Sequence, residues 1–147
     1  MHEKEIQYFT EAFQLTQDEF FVDAIHIFQK LVDEFPESDL ADDALYNIGL
    51  CYFEMNQLQK SIEVLKEMIE KYPDATITAL ENANEFGKTV AKAYYLIVLC
   101  YIGLNDIQKA ESFIPILKEY NDSYVIKNGQ KVTFEEIADG SIKKSKS

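Results

Sequence analysis

Apolar residues along this chain recur every three or four positions, the spacing that lines side chains along one face of an α-helix. Tyr8, Ala12 and Leu15 make a first stripe; Phe21, Ala24, Ile25, Phe28, Leu31 and Val32 make a second. A polar turn, Gln17-Asp18-Glu19, lies between them. The arrangement returns as Leu45, Ile48, Gly49 and Tyr52, then Leu58, Ile62, Leu65, Met68 and Ile69, around Met55-Asn56-Gln57. It returns again as Tyr94, Ile97, Val98 and Tyr101, then Ile107, Ala110, Ile114 and Leu117, around Leu104-Asn105-Asp106. Each pair of stripes predicts two antiparallel helices. Small residues at Ala12, Ala24, Gly49 and Ala110 stand where paired helices must approach closely.

The three pairs are copies of one unit. Residues 50–61 read LCYFEMNQLQKS and residues 99–110 read LCYIGLNDIQKA, identical at six of twelve positions. The ends echo as well: EFPES at 34–38, KYPDA at 71–75 and EYNDS at 119–123. Ala24, Ser61 and Ala110 hold equivalent places, so the copies are spaced by 37 and then 49 residues. A hairpin of this size cannot bury its apolar face alone, and stacking of copies is the usual solution. The pattern predicts one domain over 1–140, with repeats at about 5–38, 42–75 and 91–123.

Three departures from the period carry expectations of their own. The longer second interval leaves extra residues, TITALENANEFGKTV at 76–90, in which Ile77, Leu80, Ala83 and Phe86 keep helical spacing. This stretch is expected to be a helical insertion, extending the third unit's first helix with a bend at Gly87. Pro115 lies deep in the last repeat helix and is expected to kink it. After Ser123, YVIK-NG-QKVTF predicts a β-hairpin around Asn128-Gly129. Thr133 to Glu136 then forms a capping box that opens a short helix, closed by Gly140. Residues 124–140 are expected to cap the array or to fold back as an internal ligand. Residues 141–147, with three lysines, are expected to be a flexible tail.

In these residues the chain resembles the tetratricopeptide repeat (TPR) family, whose pattern is aromatic-x2-Leu-Gly-x2-Tyr, then Ala, Phe, Ala and Pro over a 34-residue period. The second unit carries it in Leu45, Ile48, Gly49, Tyr52, Ser61, Leu65, Met68 and Pro73. The first carries it in Tyr8, Ala12, Ala24, Phe28, Leu31 and Pro36, and the third in Tyr94, Tyr101, Ala110, Ile114 and Leu117, where Asn121 stands for the proline. The resemblance implies an all-α, right-handed solenoid of three helical hairpins with an irregular C-terminal cap. Residues 35–75 are similar to bacterial envelope proteins of the Tol–Pal-associated and outer-membrane-assembly types.

Charge and chemistry narrow the functional classes. Twenty-six acids face fourteen bases, for a formal net charge of −12 on 147 residues. All fourteen bases are lysine. Without arginine's planar fork, and with an acidic surface, nucleic-acid binding is excluded. No apolar run reaches the roughly 18–20 residues that span a bilayer. The N-terminal residues show no signal peptide, so a cytoplasmic setting is expected, or a periplasmic one if a signal has been removed. Two histidines, His2 and His26, supply neither a triad nor a metal cluster. Cys51 and Cys100 fall at equivalent repeat positions and are expected to be buried thiols. Glu37, Asp39, Asp42 and Asp43 lack the spacing of a calcium loop and are expected to complement a helix N-terminus. No catalytic residue, metal or cofactor is expected, and the chain is not expected to be an enzyme.

Binding remains. By the resemblance, ligands lie in a concave groove lined by first-helix positions: Phe9, Phe13, Tyr46, Asn47, Leu50 and Phe53, then Lys92, Tyr95, Leu96, Leu99 and Ile102. Chaperone-binding members hold a carboxylate there with a Lys/Asn/Asn/Lys/Arg set. Here only Asn47 and Lys92 match, with Phe9, Phe13 and Leu96 in the other places, so binding of chaperone tails is not expected. An apolar groove on an acidic body implies a protein or peptide partner of basic character, for an adaptor or assembly factor. A chaperone for a secreted protein, a cell-envelope protein and a homodimer that covers its own groove are the alternatives.

Overall fold

The computed structural model describes residues 3–78 and 84–147, in two compact units, Met1–Tyr72 and Pro73–Ser147. The first unit is four helices: α1 (Glu3–Gln17), α2 (Phe21–Glu34), α3 (Ala41–Glu54) and α4 (Leu58–Lys71). Each packs on the next in sequence. The stripes read from the sequence form the core, with Ala12, Ala24, Phe28, Leu31, Leu45, Ile48, Leu65 and Met68 all buried. The small residues do what their size permits. A Cβ on Gly49 would stand 2.7 Å from Leu65 Cδ2, so α3 and α4 meet only because none is there. At the same crossing, Ser61 Oγ donates to the Gly49 carbonyl at 2.7 Å.

All three repeat turns share one geometry. Glu19, Asn56 and Asn105 adopt left-handed φ of 64°, 59° and 62°. The N–H of the next residue reaches back to the carbonyls of Leu15, Tyr52 and Tyr101 at 2.8, 2.8 and 2.9 Å. The turn residue's own N–H bonds Thr16, Phe53 and Ile102. Together these are the Schellman bonds that satisfy the last carbonyls of a helix.

The second unit holds β1 (Glu85–Phe86), α5 (Thr89–Gly103), α6 (Ile107–Glu111), α7 (Ile114–Lys118), β2 (Tyr124–Lys127), β3 (Gln130–Thr133) and α8 (Phe134–Lys146). The strands form an antiparallel sheet in the order β1-β2-β3. The expected hairpin is present: Lys127 faces Gln130, and Asn128 and Gly129 both take positive φ, as a two-residue turn requires. The capping box is present too, Thr133 accepting the Glu136 N–H while the Glu136 carboxylate accepts the Thr133 N–H.

Four expectations are corrected here. The insertion is not helical at 76–78 or 84–88, and only its last residues, Thr89 and Val90, belong to α5; Leu80 and Ala83 lie outside the described residues. Instead Thr76 bridges Lys88, Ile77 N–H donates to the Gly87 carbonyl at 2.8 Å, and Glu85 and Phe86 pair with Val125 and Tyr124. Gly87 makes this possible. At φ 108° its Cα lies so close to Ser123 that a Cβ would fall 2.5 Å from the Ser123 Cα, and Ser123 Oγ accepts the Lys88 N–H at 2.9 Å.

The fold is mostly helical, as expected, and its C-terminal cap is a three-stranded sheet with α8. Pro115 breaks its helix instead of kinking it. With no N–H and a ring that crowds the preceding turn, it sits in the first turn of a new helix, α7. Finally, Gly140 does not end α8, and 141–147 is not a loose tail. Phe134, Ala138 and Ile142 are buried one turn apart, and their packing outweighs the weak helix propensity of one glycine. Lys146 Nζ closes the end on Glu111 Oε2 at 2.8 Å.

Candidate functional site

First-helix positions fare differently in the two units. In the first, Phe9 is buried, its ring edge-on to Phe28 at 5.5 Å and stacked on Phe13 at 6.4 Å. Tyr46 and Asn47 are buried as well, and Asn47 Nδ2 donates to the Asp43 carbonyl at 2.8 Å within its own helix. Phe13, Leu50 and Phe53 stay half-buried, as apolar side chains in part open to solvent.

In the second unit the same positions are largely engaged by the chain itself. Lys92 Nζ meets Glu85 Oε1 at 3.0 Å, with side-chain exposures of 5% and 15%. Leu96 is buried. The Tyr95 ring lies 6.1 Å from that of Phe134 in α8, and both Tyr95 and Ile102 pack on a buried cluster drawn from α5, α6, α7 and α8. Leu99 is half-buried. The helix expected as a short cap thus meets Tyr95 and the β1 carboxylate takes Lys92, while Tyr95, Leu99 and Ile102 are each half-buried.

Electrostatics add detail. Burial, with the nearby Glu54 charge, pushes the Cys51 thiol up to about 12, which leaves it protonated and unreactive at neutral pH. Asp42 and Asp43 stand in the first turn of α3 and are buried there. At the N-terminal end, Tyr8 OH donates to Glu34 Oε2 at 2.8 Å and Lys4 Nζ to Oε1 at 3.1 Å, and these bonds hold the Glu34 carboxyl below its usual range. Among the described residues no cluster of His, Cys, Asp or Glu is placed to hold a metal ion. Nor is any described helix long and apolar enough to cross a membrane.

One feature of the first unit was not among the expected groove positions. A pocket of about 320 Å³ opens between the C-terminal ends of α1 and α3, over Phe21, Leu50 and Cys51, with Glu19 and Glu54 among its lining residues. Beside its lining residues Glu19 and Phe21, Phe20 and Val22 project into solvent, 57% and 60% exposed. The signal was legible: the equivalent positions of the second repeat are Gln57 and Gln59.

Two family descriptions match the chain, both "Tetratricopeptide repeat", over residues 43–75 and 91–114. The chain is similar to Tetratricopeptide repeat protein 6 of Homo sapiens, 30% identical over 95 residues, spanning 60% of this chain and 16% of that protein. Among solved structures it is similar to the Hsp90 co-chaperone Cns1 from Saccharomyces cerevisiae, at a TM-score of 0.69 and 14% identity, over 99% of this chain and 41% of that one. It is also similar to the TPR2AB domain of yeast Sti1 in its complex with pHSP90, at 0.66 and 15%, over 97% and 48%. The chain therefore spans less than half the length of each of these three proteins.

Proposed function

We propose, taking as premise that the chain is a tetratricopeptide repeat protein, that it is a non-enzymatic protein–protein interaction module, an adaptor or assembly factor for a peptide or helical partner. The observation that carries this reading is the apolar surface left partly open at first-helix positions of the first unit, at Phe13, Leu50 and Phe53, whereas in the second unit Phe134 of α8 meets Tyr95 and Glu85 meets Lys92. Apolar side chains at the ligand-facing positions of a repeat protein favour a partner that buries them. The surface offered is that of the first unit.

A carboxylate clamp of the kind used for chaperone tails is not part of the proposal. Asn47, one of the two matching residues, bonds its own helix, and Lys92, the other, is held by Glu85. Two features support a role without catalysis: the Cys51 thiol is held protonated, and His26 is exposed on α2.

The test is a matched pull-down with the parent chain and the Phe13→Glu/Leu50→Glu variant. Partners captured by the parent should be lost by the variant, while far-UV circular dichroism shows the same helix content. Unchanged capture with intact helices would refute the location.

A further inference from the structure

The α1–α2 turn departs from its two counterparts at each place where the fold has a preference. In the other hairpins the left-handed residue is Asn56 or Asn105, and the residue that opens the second helix is Gln57 or Asp106. Asp106 caps that helix by accepting the Lys109 N–H at 3.1 Å. Two positions further on stand Gln59 and Gln108. The first hairpin has Glu19, Phe20 and Val22 at these places. Glutamate lacks asparagine's ease at positive φ. Phenylalanine has no acceptor, so α2 starts without a side-chain cap, as α4 does at Gln57 and unlike α6 at Asp106. Phe20 and Val22 expose more than half their surface and add nothing to the core. Phe21 alone keeps the repeat pattern, matching Leu58 and Ile107. Three departures in four residues, each against local preference, mark a segment shaped by something other than folding.

The pocket beside this tip defines what would fit. Phe21 and Leu50 give it apolar surface, and Glu19 and Glu54 bring two carboxylates to it. No lysine is among its lining residues. The Glu54 charge is felt by the Cys51 thiol.

We propose that this tip is the anchor point for a partner polypeptide that places an apolar side chain over Phe21 and Leu50 and a lysine or arginine against Glu19 and Glu54. Phe20 and Val22 flank the anchored segment and shield it from water. The proposal rests on the interaction-module reading and gives it a partner chemistry. Two carboxylates at the tip repel an anionic lipid surface, so the apolar tip is assigned to a protein rather than to a membrane.

The test uses the full chain, labelled with nitrogen-15, and two synthetic peptides: acetyl-Ala-Lys-Leu-Phe-Lys-Ala-amide and its counterpart with both lysines replaced by glutamate. The lysine peptide should shift the amides of residues 16–22 and 50–54 and bind about tenfold tighter than the glutamate peptide. The Phe20→Gln/Val22→Gln variant carries the second repeat's residues; it should keep its melting temperature and bind the lysine peptide about tenfold more weakly. Equal affinity for the two peptides, shifts elsewhere, or unimpaired binding by that variant would overturn the proposal. So would a lowered melting temperature, which would make the tip a structural element, or cosedimentation with phosphatidylcholine/phosphatidylglycerol vesicles. If neither peptide binds, the anchor proposal falls, and a displayed library of random peptides then judges the broader reading. Binders that map elsewhere leave the interaction module standing; an absence of binders overturns both.

Discussion

Two glycine-to-alanine substitutions should move stability in opposite directions. In Gly49→Ala, the new methyl would lie 2.7 Å from Leu65 Cδ2 and 2.8 Å from Leu65 Cγ. That is about 1 Å inside ordinary carbon contact. Leu65 is fully buried, and the atoms met include its branch carbon as well as its Cδ2 end, so turning that end aside is not enough and relief requires α3 and α4 to separate. Overpacking of this kind costs about 1–3 kcal/mol, against about 1 kcal/mol recovered from alanine's better helix propensity. A net loss of up to about 2 kcal/mol remains, and the Ser61–Gly49 bond stretches as the helices part. At about 3 °C per kcal/mol for a chain of this size, the melting temperature falls by up to about 6 °C.

Gly140 is the control. It is also helical, but nothing lies within 4 Å of where its Cβ would stand, so Gly140→Ala gains the propensity alone, about 0.5–1 kcal/mol. Urea denaturation followed by circular dichroism measures both. Adding Leu65→Ala to Gly49→Ala should show coupling of about 1 kcal/mol, because the second change removes the obstruction. If Gly49→Ala stabilises as Gly140→Ala does, the close approach of α3 and α4 is refuted.

Other consequences are more local. Cys51, its thiol pushed up to about 12, should resist iodoacetamide at pH 8 in the folded chain and react once urea unfolds it; rapid labelling of the native protein would contradict its burial. Glu85→Ala removes a carboxylate 3.0 Å from the Lys92 ammonium, whose side chain is 5% exposed, and should lower stability in denaturant titration. Glu34 is held below its usual value by the Tyr8 hydroxyl first and the Lys4 ammonium second. Its contribution is therefore present above the unfolded carboxylate range and is lost as pH falls through the depressed folded value. Carbon-13 NMR titration should show Glu34 protonating below the other glutamates, and Tyr8→Phe should raise its midpoint.

Much of the fold was legible because one unit recurs. Met55-Asn56-Gln57 and Leu104-Asn105-Asp106 announce turns, Gly49 announces a close helix approach, and Asn128-Gly129 announces a hairpin. Each of these signals is local, and each holds in the structure. What escaped the sequence depends on partners distant along the chain. β1 is two residues long and exists because Gly87 lies against Ser123, so helical spacing at Ile77 and Phe86 was misleading. The last turns of α8 exist because Ile142 is buried with Phe134 and Ala138, which no local reading of Gly140 and three lysines reveals.

The site divides along the same line. Repeat register gives the first-helix positions, but not that Phe134 of α8 meets Tyr95 and Glu85 meets Lys92. The tip at Phe20 and Val22 was hidden for a different reason. An exposed phenylalanine next to a core phenylalanine reads as part of one apolar stripe until the repeats are compared position by position.

The central claim is that the chain engages a partner polypeptide through the first-helix face of its first unit. Hydrogen–deuterium exchange of the full chain, with and without a polypeptide captured by it, tests this most directly. Added protection concentrated in the C-terminal halves of α1 and α3 and in the turn at 18–22 is the predicted result. Protection confined to the β-sheet and α8, with α1 and α3 unchanged, would contradict it.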